Sequence, residues 1–213
     1  MKIIRTAGQL SRLSRMETAV WRAERKFVSA REARILSPGE AIVFPTRAPN
    51  HAEYASLSPV LLLVHIEELD LDPELVFADL GSGLGAACFA AAFHFKRVVG
   101  LELDPRLVEE AQRLQKQLGF DNVAFRNEDF LKADLSGCGV LYLFHPFSDN
   151  FVPLMAERLR DIPSGTLVIS RVFNYARPGI FTAEFFERVH PVEIGEDEVG
   201  DDYVSNLITF RRR

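Results

Sequence analysis

Three acidic side chains, each at the end of a short apolar run, are the residues of this 213-residue chain best placed to do chemistry. The first is Asp79, in Val76-Phe77-Ala78-Asp79-Leu80-Gly81-Ser82-Gly83-Leu84-Gly85, where an apolar run passes straight into a glycine-rich turn. Glycine suits such a turn because the backbone must bend tightly and lie against a bound molecule with no Cβ between them. A carboxylate two residues before the first glycine can take a cationic amino group, directly or through water. A turn without a ligand would account for the glycines and leave that acid unexplained. The second acid, Glu102, ends Val98-Val99-Gly100-Leu101-Glu102, about twenty residues past the turn, where one carboxylate can accept both hydroxyl protons of a ribose. Asp104-Pro105 behind it reads as a helix N-cap with proline at the first helical position. The third, Asp129, stands in Glu128-Asp129-Phe130 after the apolar run 122–126. It can accept from an adenine exocyclic amine, and Phe130 can offer its backbone N–H or a ring face. Taken alone that segment reads as an exposed acidic loop; as the third acid-bearing strand end in series it reads as an adenine contact.

A fourth apolar run, 139–144, leads into His145-Pro146-Phe147-Ser148-Asp149, where an acceptor would meet the reacting group. His145 could orient a nucleophile or take its proton near neutral pH, or serve only as a hydrogen-bonded strand-end residue. Phe44, Phe147, Phe173 and Tyr175 could line an apolar slot for an amine, or belong to the core. A nicotinamide or flavin dinucleotide is the competing ligand, because Gly81, Gly83 and Ala86 also satisfy the looser dinucleotide pattern. That pattern does not call for Gly85, for the acid at Asp79, or for the tail described next.

To hold three strand ends at one rim the chain needs parallel strands joined by crossover helices. The hydrophobic periodicity predicts strands over 75–80, 97–102, 122–126, 139–144, 165–172, 188–193 and 203–211, with helices over 59–69, 84–95, 105–118, 149–161 and 180–187. Only an acidic loop, 195–202, separates the last two strands, which is too short for a crossover and predicts an antiparallel hairpin. The expected fold is a doubly wound, Rossmann-like α/β domain with a mostly parallel seven-stranded sheet, an antiparallel C-terminal hairpin and an N-terminal helical extension. Residues 9–35 carry Leu10, Leu13, Ala19, Val20, Ala23, Phe27, Ala30 and Ile35 at spacings suited to one apolar face, predicting one or two amphipathic helices packed on the domain. Ser37-Pro38-Gly39 breaks the pattern and 41–49 reads as an extended connector. Residues 1–57 are thus read as extension and lid, and 58–213 as the ligand-binding domain.

Composition narrows the function classes. A 47% apolar and 26% charged chain is ordinary for a globular protein. Residues 1–40 hold nine basic and four acidic side chains, and residues 41–213 hold sixteen and twenty-six, for net charges of +5 and −10. The acidic body argues against nucleic acid as principal partner, while the basic arm could touch an acidic partner, nucleic acid or the body itself. Cys88 and Cys138 lack the spacing of a zinc site or a redox pair, so both read as buried thiols in a reducing compartment and no metal centre is expected. The longest apolar stretch, 59–66, is far short of a membrane span, and Glu17, Glu24 and Glu32 interrupt what would otherwise resemble a transit peptide; a cytoplasmic location is expected.

Asp79-Leu80-Gly81-Ser82-Gly83-Leu84-Gly85 and Val99-Gly100-Leu101-Glu102-Leu103-Asp104-Pro105 resemble motif I and the following acidic motif of class I S-adenosylmethionine-dependent methyltransferases. The resemblance implies S-adenosyl-L-methionine as cofactor, held by Asp79, Leu80, Gly81, Ser82, Gly83, Glu102, Leu103, Asp129 and Phe130. Leu101 through Gln112, Glu128-Asp129-Phe130 and Phe44-Pro45-Thr46 are similar to a small group of protein lysine methyltransferases. That similarity implies that the loop bearing Thr46 closes over the cofactor and that a lysine amine enters beside the fourth strand, near His145 and Phe147. His145-Pro146-Phe147 departs from the segment found in those enzymes, so a small-molecule acceptor stays open, as does a non-catalytic binding module. There is no Asn-Pro-Pro-Tyr after the fourth strand, which disfavours amide and nucleobase-amine methylation of that type.

Overall fold

The computed structural model describes residues 6–27, 34–35, 42–43, 59–143, 152–171, 180–190 and 207–213. Helix α1 (Ala7–Phe27) starts on a capping box: Gln9 N–H donates to Thr6 Oγ1, and the Gln9 side chain accepts from Thr6 N–H, both at 3.1 Å. Leu13, Met16, Val20 and Ala23, spaced three, four and three residues apart, form its buried stripe. Leu10, expected on that face, is instead 58% exposed, because Met16 and not Leu10 continues the stripe. The two-residue strands β1 (Arg34–Ile35) and β2 (Ile42–Val43) pair antiparallel.

Next come α2 (Pro59–Glu68), β3 (Val76–Leu80), α3 (Ala86–Ala91), β4 (Arg97–Glu102), α4 (Pro105–Leu118), β5 (Val123–Asn127), β6 (Val140–Leu143), α5 (Val152–Arg160), β7 (Leu167–Arg171), β8 (Phe186–His190) and β9 (Leu207–Arg212). The seven longer strands form one sheet in the order β5-β4-β3-β6-β7-β9-β8. Pairs from β5 through β7 are parallel, and β9 runs antiparallel between β7 and β8. This is the expected doubly wound sheet with its reversed tail.

Side chains alternate across the sheet with period two, which gives two cores. Phe77, Val98, Val123, Val140 and Tyr142 face a core shared with α1, α2, α3 and α4. Ala78, Leu80, Leu101, Leu141, Leu143 and Phe210 face a second core that includes Met155 and Leu159 of α5.

Two predicted helices are corrected. The span 84–95 holds only Ala86–Ala91, since Gly85 sits in the left-handed region at φ 85° and the chain leaves the helix so that His94 Nε2 can donate to Leu71 O at 2.7 Å. The helix expected over 180–187 is absent: 180–185 forms turns and Phe186 already begins β8, because the Phe181 ring stacks on Phe210 at 4.1 Å between centroids and draws this apolar segment onto the sheet.

Candidate active site

The carboxyl ends of β3, β4 and β5 lie side by side, with Leu80 opposite Leu101 and Glu102 opposite Asn127. Such an edge is where open α/β sheets bind ligands. Between β3 and α3 the chain passes through Gly81, Gly83 and Gly85, all at positive φ (92°, 53° and 85°). At Gly85 a Cβ would stand 2.3 Å from the Phe125 ring, so the turn is packed against β5. At Gly81 a Cβ would meet nothing within 4 Å, so that side of the turn is open.

Leu101 O accepts from both Gly81 N–H (2.9 Å) and Ser82 N–H (3.0 Å), tying the turn to β4. Glu102 adds a side-chain tie. Its Oε2 accepts from Gly83 N–H at 2.9 Å, and its Oε1 accepts from Leu103 N–H at 2.8 Å and Asp104 N–H at 2.9 Å. One buried carboxylate therefore fixes the glycine turn, the end of β4 and the start of α4, where Asp104 caps the helix through Arg106 N–H at 2.9 Å.

Asp79 is buried at the end of β3, and burial raises its carboxyl from the ordinary 3.8 to about 7, against a lowering hydrogen bond from Cys88 and with a smaller push from the Glu102 charge. The Cys88 Sγ donates to Asp79 Oδ2 at 3.6 Å. Burial, followed by the neighbouring carboxylate, pushes the thiol well above its usual range, so Cys88 is an inert donor there. Ser82 Oγ is buried and has no hydrogen-bond partner among the described residues. A hydroxyl in that position calls for a polar group that the described residues do not supply.

Leu80 points into the second core and reaches the site only through its backbone, whereas Leu103 is 47% exposed beside Glu102. Asp129 lies two residues past β5; its Oδ1 accepts from Leu131 N–H at 3.0 Å and its Oδ2 is 3.5 Å from Lys132 Nζ. The Phe130 ring packs on the second core, and Phe130 O accepts from Arg158 Nε at 3.0 Å. The structure thus joins Asp79, Ser82, Gly83 and Glu102, directly or through shared neighbours, and sets Asp129 and Phe130 in the next loop of the same edge. Thr46, His145 and Phe147, with Phe44, Phe173 and Tyr175, lie outside the described residues.

Three contributors escaped the sequence reading. Cys88, which the sequence predicts to be a thiol without a role, donates to Asp79, and Cys138, predicted buried, is half-buried. Asn127 Nδ2 donates to Glu102 O at 3.0 Å and Leu103 O at 2.8 Å, bracing the turn that carries Glu102. Arg158 holds the loop after β5 through Phe130 O and Ala133 O. The one available sequence signal was Asn127 itself, a turn-type residue at the end of a strand.

Residues 79–177 match the family model described as the ANTKMT methyltransferase domain. An uncharacterized protein of Methanothermobacter thermautotrophicus is 28% identical over 138 residues, covering 62% of this chain and 54% of that protein. Ribosomal RNA small subunit methyltransferase A of Macrococcus caseolyticus is 34% identical over 80 residues, 38% of this chain and 26% of that enzyme. The chain therefore spans about half the length of the first of these relatives and about a quarter of the second. Among solved structures, an RNA methyltransferase from Salinibacter ruber in complex with S-adenosyl-L-homocysteine is 28% identical, with a TM-score of 0.50, and the match covers 73% of this chain and 90% of that one. No helix among the described residues is long and apolar enough to cross a membrane.

Proposed function

We propose that this chain, which belongs to the class I S-adenosylmethionine-dependent methyltransferase superfamily, transfers the methyl group of S-adenosyl-L-methionine to an amine, and specifically to a protein lysine. The observation that carries the cofactor assignment is the Glu102 carboxylate clasping Gly83 N–H beside a buried Ser82 hydroxyl that has no hydrogen-bond partner among the described residues. In this reading Glu102 receives the ribose hydroxyls, Asp79 the amino group, the exposed Leu103 side chain one face of the adenine, and Asp129 with Phe130 its edge. The lysine acceptor is supported by the similarity of Leu101 through Gln112, Glu128-Asp129-Phe130 and Phe44-Pro45-Thr46 to lysine methyltransferases. Thr46 would close over the cofactor, and His145 and Phe147 would stand on the acceptor side. A cytoplasmic location accords with the free thiols Cys88 and Cys138.

The bound cofactor supplies a methyl group activated on a sulfonium. The protein's task is to align the acceptor in line with it and to exclude water. Asp79, when ionised, holds the amino end, and the Glu102 clasp keeps the glycine turn from shifting as the ligand enters. An apolar slot containing Phe147 would favour the neutral lysine amine over the ammonium ion.

A second reading, RNA as acceptor, is favoured by the likeness to the Salinibacter ruber RNA methyltransferase; the net charge of −10 over residues 41–213 opposes it. Incubation with radiolabelled cofactor and a fractionated cell extract separates the readings. Label in protein that survives ribonuclease and is recovered as methyl-lysine is expected. Label removed by ribonuclease, or found only in small molecules, overturns the lysine assignment. Calorimetric titration should show binding of S-adenosylhomocysteine and none of NADH.

A further inference from the structure

A groove of about 480 Å³ runs between α1 and the C-terminal half of α4, lined by Arg12, Arg15, Arg22 and Arg113 over a floor that includes Ala23 and Leu114. None of its described lining residues is acidic or aromatic. Two of the arginines are committed to the fold. Arg12 lies over the Phe120 ring at 4.1 Å from its centroid and donates to Gly119 O, and Arg113 forks onto Glu110 at 2.6 and 2.7 Å. Arg15 and Arg22 are exposed, and neither takes part in a hydrogen bond or ion pair among the described residues.

We propose that this groove docks an acidic, partly apolar peptide segment of the methyl acceptor, with carboxylates on Arg15 and Arg22 and an apolar side chain on the Ala23 and Leu114 floor. The inference rests on the protein-acceptor reading above. Arg15 and Arg22 are seven positions apart, which sets them about 10 Å apart along the helix axis, close to the span of three residues of extended peptide. Guanidinium groups suit carboxylates because their fork matches both oxygens. A nucleic-acid strand is the poorer occupant, because none of the described lining residues offers a ring for a base to stack on. The position fits a docking role. Arg113 to Leu118 lie roughly 12–20 Å along α4 from its start at the site edge, so a segment bound there can hold an acceptor while a lysine elsewhere in it reaches the cofactor.

The test uses the full chain and two fluorescein-labelled probes, a twelve-residue peptide of repeating Leu-Glu-Ala-Glu and a twelve-nucleotide oligouridine, read by anisotropy at physiological salt. The proposal expects the peptide to bind more tightly than the oligouridine. The Arg15→Ala/Arg22→Ala double variant should weaken peptide binding about tenfold. Lys116→Ala, on the exposed side of α4, should leave it unchanged, and S-adenosylhomocysteine affinity should be the same in all three proteins. Tighter binding of oligouridine that the double variant also weakens overturns the proposal in favour of nucleic acid. Equal peptide affinity in the double variant and the wild type, or no peptide binding at all, overturns it outright. Failure of the lysine reading itself is seen separately, in where the radiolabel lands.

Discussion

Glu102 Oε2 accepts the Gly83 N–H at 2.9 Å, so the glycine turn after β3 is held to the end of β4 by a side chain as well as by the backbone. Among the described residues, the hydrogen-bond partners of that carboxylate are all backbone N–H groups, those of Gly83, Leu103 and Asp104.

Glu102→Ala leaves three backbone donors without their acceptor. Stability should fall by about 1–3 kcal/mol in thermal denaturation, and S-adenosylhomocysteine affinity by about tenfold or more in calorimetry. Unchanged affinity would remove Glu102 from the ribose position.

Gly85→Ala and Gly119→Ala both force a side chain into the left-handed region, at φ 85° and 68°. At Gly119 a Cβ meets nothing within 4 Å, so the cost is the backbone strain alone, about 1–2 kcal/mol. At Gly85 it meets Phe125 at 2.3 Å as well as Phe89 at 3.3 Å. The Gly85 variant should therefore lose several kcal/mol more, of the order of an overpacked core. Equal melting temperatures for the two variants would show that Phe125 gives way freely.

The Asp79 carboxyl, raised by burial to about 7, gives two opposite pH trends. Its proton is held more tightly folded than unfolded, so its contribution to stability is fully present below about 4 and is lost as pH rises through about 7. Ligand affinity runs the other way, since an ionised Asp79 is what holds an ammonium group. Calorimetry from pH 6 to 8.5 should show S-adenosylhomocysteine binding strengthening with pH. Asp79→Asn should flatten that trend and make the unliganded protein more stable at pH 8. A variant that retains the wild-type pH trend would take Asp79 out of the amino-group site.

Asn127→Asp places a carboxylate against the Glu102 and Leu103 carbonyl oxygens, where Asn127 now donates. It should weaken S-adenosylhomocysteine binding more than Asn127→Ala does, each with a stability loss of about 1–2 kcal/mol. If Asn127→Asp binds as well as the wild type, the brace does not set the Glu102 geometry.

The sheet was legible because strand and helix periods differ, so runs such as Val98–Leu101 and the α4 stripe of Val108, Ala111 and Leu114 declare themselves within a few residues. The sequence predicts α4 to its ends: Asp104-Pro105 is a local start signal, and Gly119, in the left-handed region, caps the other end. The segment 180–187 is ambiguous in sequence because its aromatic side chains fit either period, and stacking of Phe181 on the distant Phe210 decides between them. The acids of the site were visible as strand-end residues. Their partners were not: Cys88 meets Asp79, and Asn127 meets Glu102, only after the chain has crossed over, and no spacing in one sequence encodes such a meeting.

The place of β9 between β7 and β8 has a consequence for synthesis. β8 is made before β9, yet among the described residues its only sheet neighbour is β9, so until β9 exists β8 has no described strand to dock on. Until Leu207–Arg212 leave the ribosome, the outer edge of β7 stands open and the hydrophobic faces of Ile208 and Phe210 are missing from the second core. The β7-β9-β8 side of the sheet therefore closes only once β9 is in place, and a chain cut short before residue 207 should expose the β7 edge.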